Sequence, residues 1–223
     1  MAGNYYKEVQ IPVDDVILPG ELVIPEGAGA IVIFSHGSGS SRKSKRNQEV
    51  ARYLQMHHFG TFLFDLLTRE EDRHYFNRFN IDLLAARLSG ATDWLERYPA
   101  AGNCSFGYFG ASTGAASALQ AASYHQSIAA IVSRGGRPDL AMDFLPEVKS
   151  PVLLIVGSLD EEVLELNRKA FSALRAEKRL EIVEGAGHLF EEPGKLSQVA
   201  SLATSWFNKY LKSVRNSEVP QAS

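Results

Sequence analysis

The chain has 223 residues, of which 45% are hydrophobic and 22% charged, and its formal net charge at pH 7 is −3. That length suits one large α/β domain, and the weak negative charge gives no basic field that would attract nucleic acid or an anionic membrane. A single cysteine excludes an internal disulfide, and the first ten residues lack the basic start and apolar core of a signal peptide. We therefore expect a cytoplasmic protein with a small-molecule substrate and no nucleic-acid or membrane partner. Composition does not fix the oligomeric state.

The first 35 residues predict three strands. Turn signals at Asp14-Asp15, Pro19-Gly20 and residues 25–29 separate the apolar pieces, and the short spacing predicts an antiparallel hairpin for the first two. From the third strand onwards, short apolar runs alternate with helix-like stretches. These runs are residues 30–35, 61–65, 104–110, 128–133, 152–157 and 180–183. This alternation is typical of a mostly parallel sheet with helices on both faces.

Two predicted helices carry apolar stripes with the helical period, and we interpret both stripes as faces that pack on the sheet. They are Ile81, Leu84, Leu88, Ala91 and Leu95, and, near the end of the chain, Leu196, Val199, Leu202, Ala203, Trp206, Phe207 and Tyr210. No repeat or linker divides the chain, so residues 1–212 are predicted to form one domain. A polar tail, residues 213–223, is predicted to be disordered. The connection over residues 135–149 is too short for a large helical lid.

A Gly-x-Ser-x-Gly pattern, from Gly110 to Gly114, ends one apolar run and begins a helix-like stretch. Strand, sharp turn and helix in this order are what a nucleophile elbow requires, in which the serine sits at a strained backbone position at the edge of the sheet. The pattern alone is a weak signal. In this context it makes Ser112 the candidate nucleophile and the Thr113 amide a candidate oxyanion donor.

A serine nucleophile needs a base and an orienting acid, which in this architecture follow in the order acid, then histidine. Asp160 comes just after one predicted strand and His188 just after the next. Because parallel strands end at one edge of the sheet, both should lie near Ser112. The alternative for Asp160 is a helix cap, and Glu161 or Glu162 would replace it if the register differed by a residue.

A second oxyanion donor is expected from the loop after an earlier strand. The residues "VIFSHGSGSSR" supply such a loop, in which the backbone N–H of Ser38 is predicted to be free to face the cleft, and His36 to brace the loop. The histidines, Cys104 and the acids form no metal-ligand spacing, so we predict neither a metal nor a cofactor.

Three arginines are candidates for binding a substrate carboxylate. Arg134 and Arg137 follow a strand that ends at the catalytic edge, and Arg42 follows the oxyanion loop. The alternative is that each is a solvated or structural arginine. The basic run over residues 42–46 would start a helix with positive charge, where the dipole favours negative charge; this is consistent with a nearby anion or with a solvated helix face.

From about Gly20 to Leu211 the chain resembles the α/β-hydrolase fold, and within it the dienelactone hydrolase-like serine hydrolases. The segments that carry the resemblance are "FSHGSGSSR", "LFDLLT", "GYFGASTGAA", "VSRGGRPDLA", "LLIVGSLDEEV" and "GAGHLFEEPG". The resemblance implies the same roles for Ser112, Asp160, His188, Ser38 and Thr113 as the residues themselves indicate. It also raises the question of a phosphoribosyltransferase-like partner, because some relatives are joined to such a domain.

One departure from that family narrows the expected activity. Dienelactone hydrolases proper use a cysteine nucleophile, whereas the elbow here has serine, which favours a general esterase. The expected function is hydrolysis of small carboxylic esters or lactones through an acyl-enzyme. The alternatives are a thioesterase or acyltransferase, and a non-catalytic binding protein of the same fold.

Overall fold

The computed structural model describes residues 5–211, and the predicted disordered tail lies outside them. Eight strands form one sheet in the order β1-β2-β4-β3-β5-β6-β7-β8. The pairs β1–β2 and β2–β4 are antiparallel and all others are parallel. The strands are β1 Tyr5–Val13, β2 Val16–Ile24, β3 Ala30–Ser35, β4 Gly60–Phe64, β5 Ser105–Ala111, β6 Ile128–Arg134, β7 Val152–Gly157 and β8 Lys178–Val183.

Five α-helices connect or follow these strands within the described residues. They are α1 Lys45–Met56, α2 Ile81–Glu96, α3 Thr113–Tyr124, α4 Glu161–Ala173 and α5 Lys195–Tyr210. Short 3₁₀ segments cover Glu71–Arg73, Tyr75–Phe79 and Pro138–Glu147. The last of these occupies the connection that the sequence predicted to be too short for a large lid. No helix in residues 5–211 is long and apolar enough to cross a membrane.

The helices cover both faces of the sheet, as the alternating pattern predicted. Val50 and Leu54 of α1 share one apolar core with Val199 and Phe207 of α5. The apolar stripe of α2 lies in the core on the opposite face, together with α3. Strands β3 and β7 are buried along their whole length, which explains why they contain continuous apolar runs instead of alternating ones.

One predicted turn is wrong. Pro19 and Gly20 lie inside β2, where they pair with Gln10 and Val9 of β1. A Cβ on Gly20 would lie 2.9 Å from Ile11 Cδ1, so the glycine allows close packing of a continuous strand instead of ending it. A Pro-Gly pair in a turn and a Pro-Gly pair in a strand that needs a small residue for close packing have the same sequence signal.

The sheet topology brings the candidate residues to one edge. Strands β3, β5, β6, β7 and β8 are neighbours and run in parallel, so their carboxyl ends point the same way. Ser112 follows β5, Asp160 lies three residues after β7, and His188 lies in the loop after β8. This edge is where open α/β sheets bind ligands.

Candidate active site

Ser112 has the strained backbone of a nucleophile elbow. Its φ of 53° and ψ of −123° are far from the usual regions for a residue with a side chain. The glycines on both sides are sterically necessary. A Cβ on Gly110 would lie 2.5 Å from Ala115 Cα, and one on Gly114 would lie 2.2 Å from the Ser35 carbonyl oxygen. The break in the apolar run is therefore required by the close approach of strand and helix.

Backbone hydrogen bonds hold the elbow in this conformation. The Ser112 N–H donates to the carbonyl of Arg134 on the neighbouring strand at 3.2 Å. The Ser112 carbonyl accepts from the N–H groups of Ala115 at 3.0 Å and Arg137 at 3.1 Å. The strain at Ser112 is thus balanced by contacts from both β6 and α3.

Asp160 binds His188 instead of capping a helix. Although Asp160 occupies the N-cap position of α4, its side chain accepts no hydrogen bond from that helix. Its Oδ2 lies 2.6 Å from Nδ1 of His188. The geometry therefore matches an acid that orients an imidazole. The substitutes considered from sequence, Glu161 and Glu162, are both exposed in the first turn of α4.

The loops that carry this pair are packed against each other. The N–H of Leu159 donates to the Ala186 carbonyl at 3.0 Å. A Cβ on Gly157 would lie 2.1 Å from that same carbonyl oxygen. Gly185, with φ of 67°, makes the turn that leads to His188. Close backbone contact between the two loops fixes the relative position of the carboxylate and the imidazole.

Ser112 and His188 line one cleft of about 210 Å³. The cleft wall is completed by Gly37, Ser38, Ser40, Ser44, Arg46, Asn47, Ala111, Arg134 and Leu189. Within the described chain, the Ser112 hydroxyl makes no hydrogen bond to the imidazole. Catalytic hydrogen bonds of this kind often tighten only when substrate binds.

The amide of Ser38 is not free, contrary to the prediction. It donates to the Thr113 hydroxyl oxygen at 2.7 Å. Gly37 brings this loop against the nucleophile, because a Cβ there would lie 3.1 Å from Ser112 Cβ. The N–H of Thr113 is the first of α3 and has no carbonyl acceptor inside the helix, so it matches the predicted oxyanion donor in position.

His36 is the brace of the same loop. Its Nε2 accepts from the Leu66 N–H at 3.0 Å, which leaves Nδ1 to donate to the Gly37 carbonyl at 3.0 Å. Burial lowers the pKa of His36. The ring is therefore neutral at neutral pH and ties the end of β3 to the segment that follows β4.

The structure separates the three candidate arginines. Arg42 forms an ion pair with Asp65 and lines a different cavity. Arg137 forms two hydrogen bonds of 2.8 Å with Asp139, and neither Arg42 nor Arg137 lines the cleft of Ser112. Arg134 does line it and is only 6% exposed. Among the described residues, no cluster of three or more His, Cys, Asp or Glu side chains is placed to hold a metal ion.

A family model described as the dienelactone hydrolase family matches residues 18–216. The chain belongs to the dienelactone hydrolase family. The crystal structure of a dienelactone hydrolase from Anabaena variabilis is 51% identical, with a TM-score of 0.91, and the match covers 95% of this chain and all of that one. The fold of this family member is that of the α/β hydrolases, as the sequence predicted.

More distant structures share the fold alone. A cold-adapted esterase from an Arctic intertidal metagenomic library has a TM-score of 0.78 at 19% identity, covering 95% of this chain and 96% of its own.

A Mycobacterium tuberculosis protein named a candidate phosphoribosyl transferase is 52% identical over 206 residues, which is 92% of this chain and 46% of the relative. This dienelactone hydrolase family member thus spans about half the length of the curated relatives it matches.

The N-terminal end of α1 supplies three cleft residues that were not singled out from the sequence. Ser44, Arg46 and Asn47 come from the N-terminal end of α1 and reach the cleft beside Arg134. The only sequence signal for them is the basic run that opens this helix of the dienelactone hydrolase family member. Nothing in that run says which of its side chains faces the cleft.

Proposed function

We propose that this chain is a serine hydrolase that cleaves small carboxylic esters or lactones through an acyl-enzyme on Ser112. The observation that carries the proposal is that the strained Ser112 shares a cleft with His188, whose other ring nitrogen is 2.6 Å from Asp160. Three segments far apart in sequence supply nucleophile, base and orienting acid. Membership of a hydrolase family supports the same reaction class.

Acylation uses the geometry of the His188–Asp160 pair. The Asp160 carboxylate accepts from Nδ1–H, so Nε2 is the unprotonated nitrogen and takes the proton of the Ser112 hydroxyl. Ser112 Oγ forms a bond to the carbonyl carbon. The resulting imidazolium donates the proton to the leaving alcohol oxygen as the carbon–oxygen bond breaks. In a lactone, the leaving group stays attached to the acyl chain.

Deacylation repeats these steps with water. Nε2 of His188 takes a proton from the water, whose oxygen attacks the acyl carbon, and then returns the proton to Ser112 Oγ as the acid leaves. The developing negative charge is held by the Thr113 amide at the start of α3. The Ser38 amide donates to Thr113 Oγ1. We propose that it adds a second donor by sharing that proton with the oxyanion.

The cleft volume and the connection after β6 set the substrate size. A cleft of about 210 Å³ accommodates a small acyl or alcohol group, and the 3₁₀ segment Pro138–Glu147 provides no large lid that would enclose a long acyl chain. The M. tuberculosis relative is about twice as long as this chain, so its name does not assign an activity to this chain. Ester hydrolysis is inferred here from the residues of this chain's own cleft.

The proposal is tested with the purified chain and short-chain p-nitrophenyl esters. We expect hydrolysis by the wild type, labelling of Ser112 by a fluorophosphonate probe, and loss of both in Ser112→Ala. Ser172→Ala, which removes an exposed hydroxyl on α4, is the matched control and should retain both. Unchanged activity in Ser112→Ala contradicts the assignment, and a wild type that neither turns over nor labels favours the alternative of a non-catalytic binding protein.

A further inference from the structure

Arg134 is a buried cation without a counter-ion among the residues that the structure describes. It is 6% exposed and lies at the end of β6, beside Ala111 and next to the nucleophile. Its Nη2 makes one long hydrogen bond of 3.4 Å to Asn47 Oδ1. Within residues 5–211 its Nε has no partner and no carboxylate pairs with it. Such burial is costly unless the charge is matched by a ligand.

The pKa of Arg134 reflects this unmatched position. Burial, and secondarily the charge of Arg46, lower the pKa to about 10. At neutral pH the guanidinium therefore still carries its charge. The charged form is disfavoured mainly by burial and to a smaller extent by the second cation, so an anion entering the cleft would stabilise it.

The first turn of α1 adds further donors to the same wall. Arg46, which also lines the cleft, pairs through Nη1 with the exposed Glu191, while its Nε is buried without a partner among the described residues. Ser44 and Asn47 line the cleft from the same helix end, and no acidic residue occupies the first turn. A helix N-terminus carries a partial positive charge and exposes N–H groups.

No carboxylate lines the cleft among the described residues. Two guanidinium groups, one amide and several serine hydroxyls line it, and Glu191, which pairs with Arg46, lies outside this lining. We propose that Arg134, Arg46 and the N-terminal turn of α1 form a subsite for a phosphate monoester group carried by the substrate, in the same cleft as the ester bond that Ser112 attacks. This inference rests on the proposed function and specifies its substrate class: small esters or lactones that bear a phosphate, which is bound and not cleaved.

Charge and donor number favour phosphate over carboxylate. The positive charge at this wall of the cleft exceeds the single negative charge of a carboxylate. It comes from an unpaired guanidinium, from a second one held only by an exposed acid, and from a helix end equivalent to about +0.5 charge. A phosphate monoester carries about −1.5 to −2 at pH 7 and offers three acceptor oxygens. Arginine forks and helix N-termini are the groups that proteins use for this ligand.

Binding is measured without turnover by titrating inorganic phosphate into Ser112→Ala protein in a calorimeter, with acetate as the comparison anion at equal ionic strength. We expect phosphate to bind more tightly than acetate, and Arg134→Met in the same background to weaken it by at least about tenfold, the loss of one or two charge-assisted hydrogen bonds. Arg52→Met, an exposed arginine of the same helix, is the matched control and should change it by less than about twofold.

Turnover is measured with three matched acetyl esters, those of glycerol, glyceric acid and glycerol 3-phosphate. The expected order of kcat/KM is phosphate, then carboxylate, then neutral, with at least about tenfold between the first and last. Arg134→Met should abolish this preference and Arg134→Lys should retain part of it, because lysine keeps the charge and loses the fork. If a thermal melt shows that Arg134→Met is not folded, the preference for the phosphate ester is compared in Arg46→Met and Arg134→Lys instead.

The outcomes separate the two proposals. Phosphate binding that depends on Arg134, with no hydrolysis of any ester, retains the subsite and overturns the proposed function. Hydrolysis of the neutral ester with no preference for phosphate overturns the subsite alone. A preference for the carboxylate ester over the phosphate ester overturns the choice of ligand, and phosphate affinity that is equal with and without Arg134 overturns the assignment of that residue.

Discussion

The backbone N–H of Ser38 donates a 2.7 Å hydrogen bond to the hydroxyl oxygen of Thr113, the residue that follows the candidate nucleophile. The side chain of one proposed oxyanion residue thereby positions the amide of the other. Ser38 itself is exposed, so this bond adds to the brace that His36 provides for the same loop. It links the elbow after β5 to the loop after β3.

We predict that Thr113→Val lowers the free energy of unfolding by about 0.5–1.5 kcal/mol and lowers kcat, because the Ser38 amide loses its acceptor. Thr113→Ser keeps the hydroxyl and should retain both. Urea denaturation and ester hydrolysis measure the two effects. If Thr113→Val matched the wild type in both, the hydrogen bond would have no role in holding the loop.

Asp160→Asn should lower kcat for ester hydrolysis by about 10³- to 10⁴-fold while leaving the fold intact, since the amide cannot hold His188 in the required tautomer. Glu161→Gln, on the next residue, is the control and should change kcat by less than about twofold. Steady-state kinetics with a p-nitrophenyl ester compares them. A similar loss in both variants would mean that kcat depends on the negative charge at the N-terminal end of α4 and not on the hydrogen bond to the imidazole.

Gly114→Ala should lower the free energy of unfolding by at least about 3 kcal/mol, because its Cβ would lie 2.2 Å from the Ser35 carbonyl oxygen and neither backbone can move easily. Gly102→Ala is the matched control, since the nearest atom to its Cβ, a Pro99 oxygen, is 3.8 Å away. We expect a change within about 0.5 kcal/mol there. Urea unfolding of the two variants gives the comparison, and equal stabilities would show that the elbow tolerates a wider approach of strand and helix.

The buried His36 predicts a loss of stability in mild acid. Burial lowers its folded-state pKa below the ordinary value of 6.5, so the unfolded state binds the proton more readily. Its contribution to stability is complete above about pH 6.5 and is lost as the pH falls through the lower folded pKa. His36→Gln, which cannot titrate, should show a flatter dependence between pH 5 and 8 in urea unfolding. Parallel curves for the two proteins would assign the acid sensitivity to other groups.

Much of the fold could be predicted from sequence because its signals are local. Buried parallel strands require continuous apolar runs, and the predicted runs at residues 30–35 and 152–157 coincide with β3 and β7. The elbow was recognisable for the same reason, since a Cβ on Gly110 or Gly114 would collide with the adjoining backbone. The turn predicted at Pro19-Gly20 failed because the same residues also suit a strand packed closely against Ile11.

The sequence by itself determined the order of Ser112, Asp160 and His188 along the chain and, through the alternation of strands and helices, the sheet edge that they share. Only the tertiary structure decided which arginine faces the cleft. Arg42, Arg134 and Arg137 looked equivalent in sequence, yet two of them meet carboxylates and Arg134 meets none within residues 5–211. The partner of a charged side chain depends on what lies beside it in space, and for Arg42 that partner is 23 residues away in sequence. The same holds for the Ser38 amide, whose acceptor is 75 residues away.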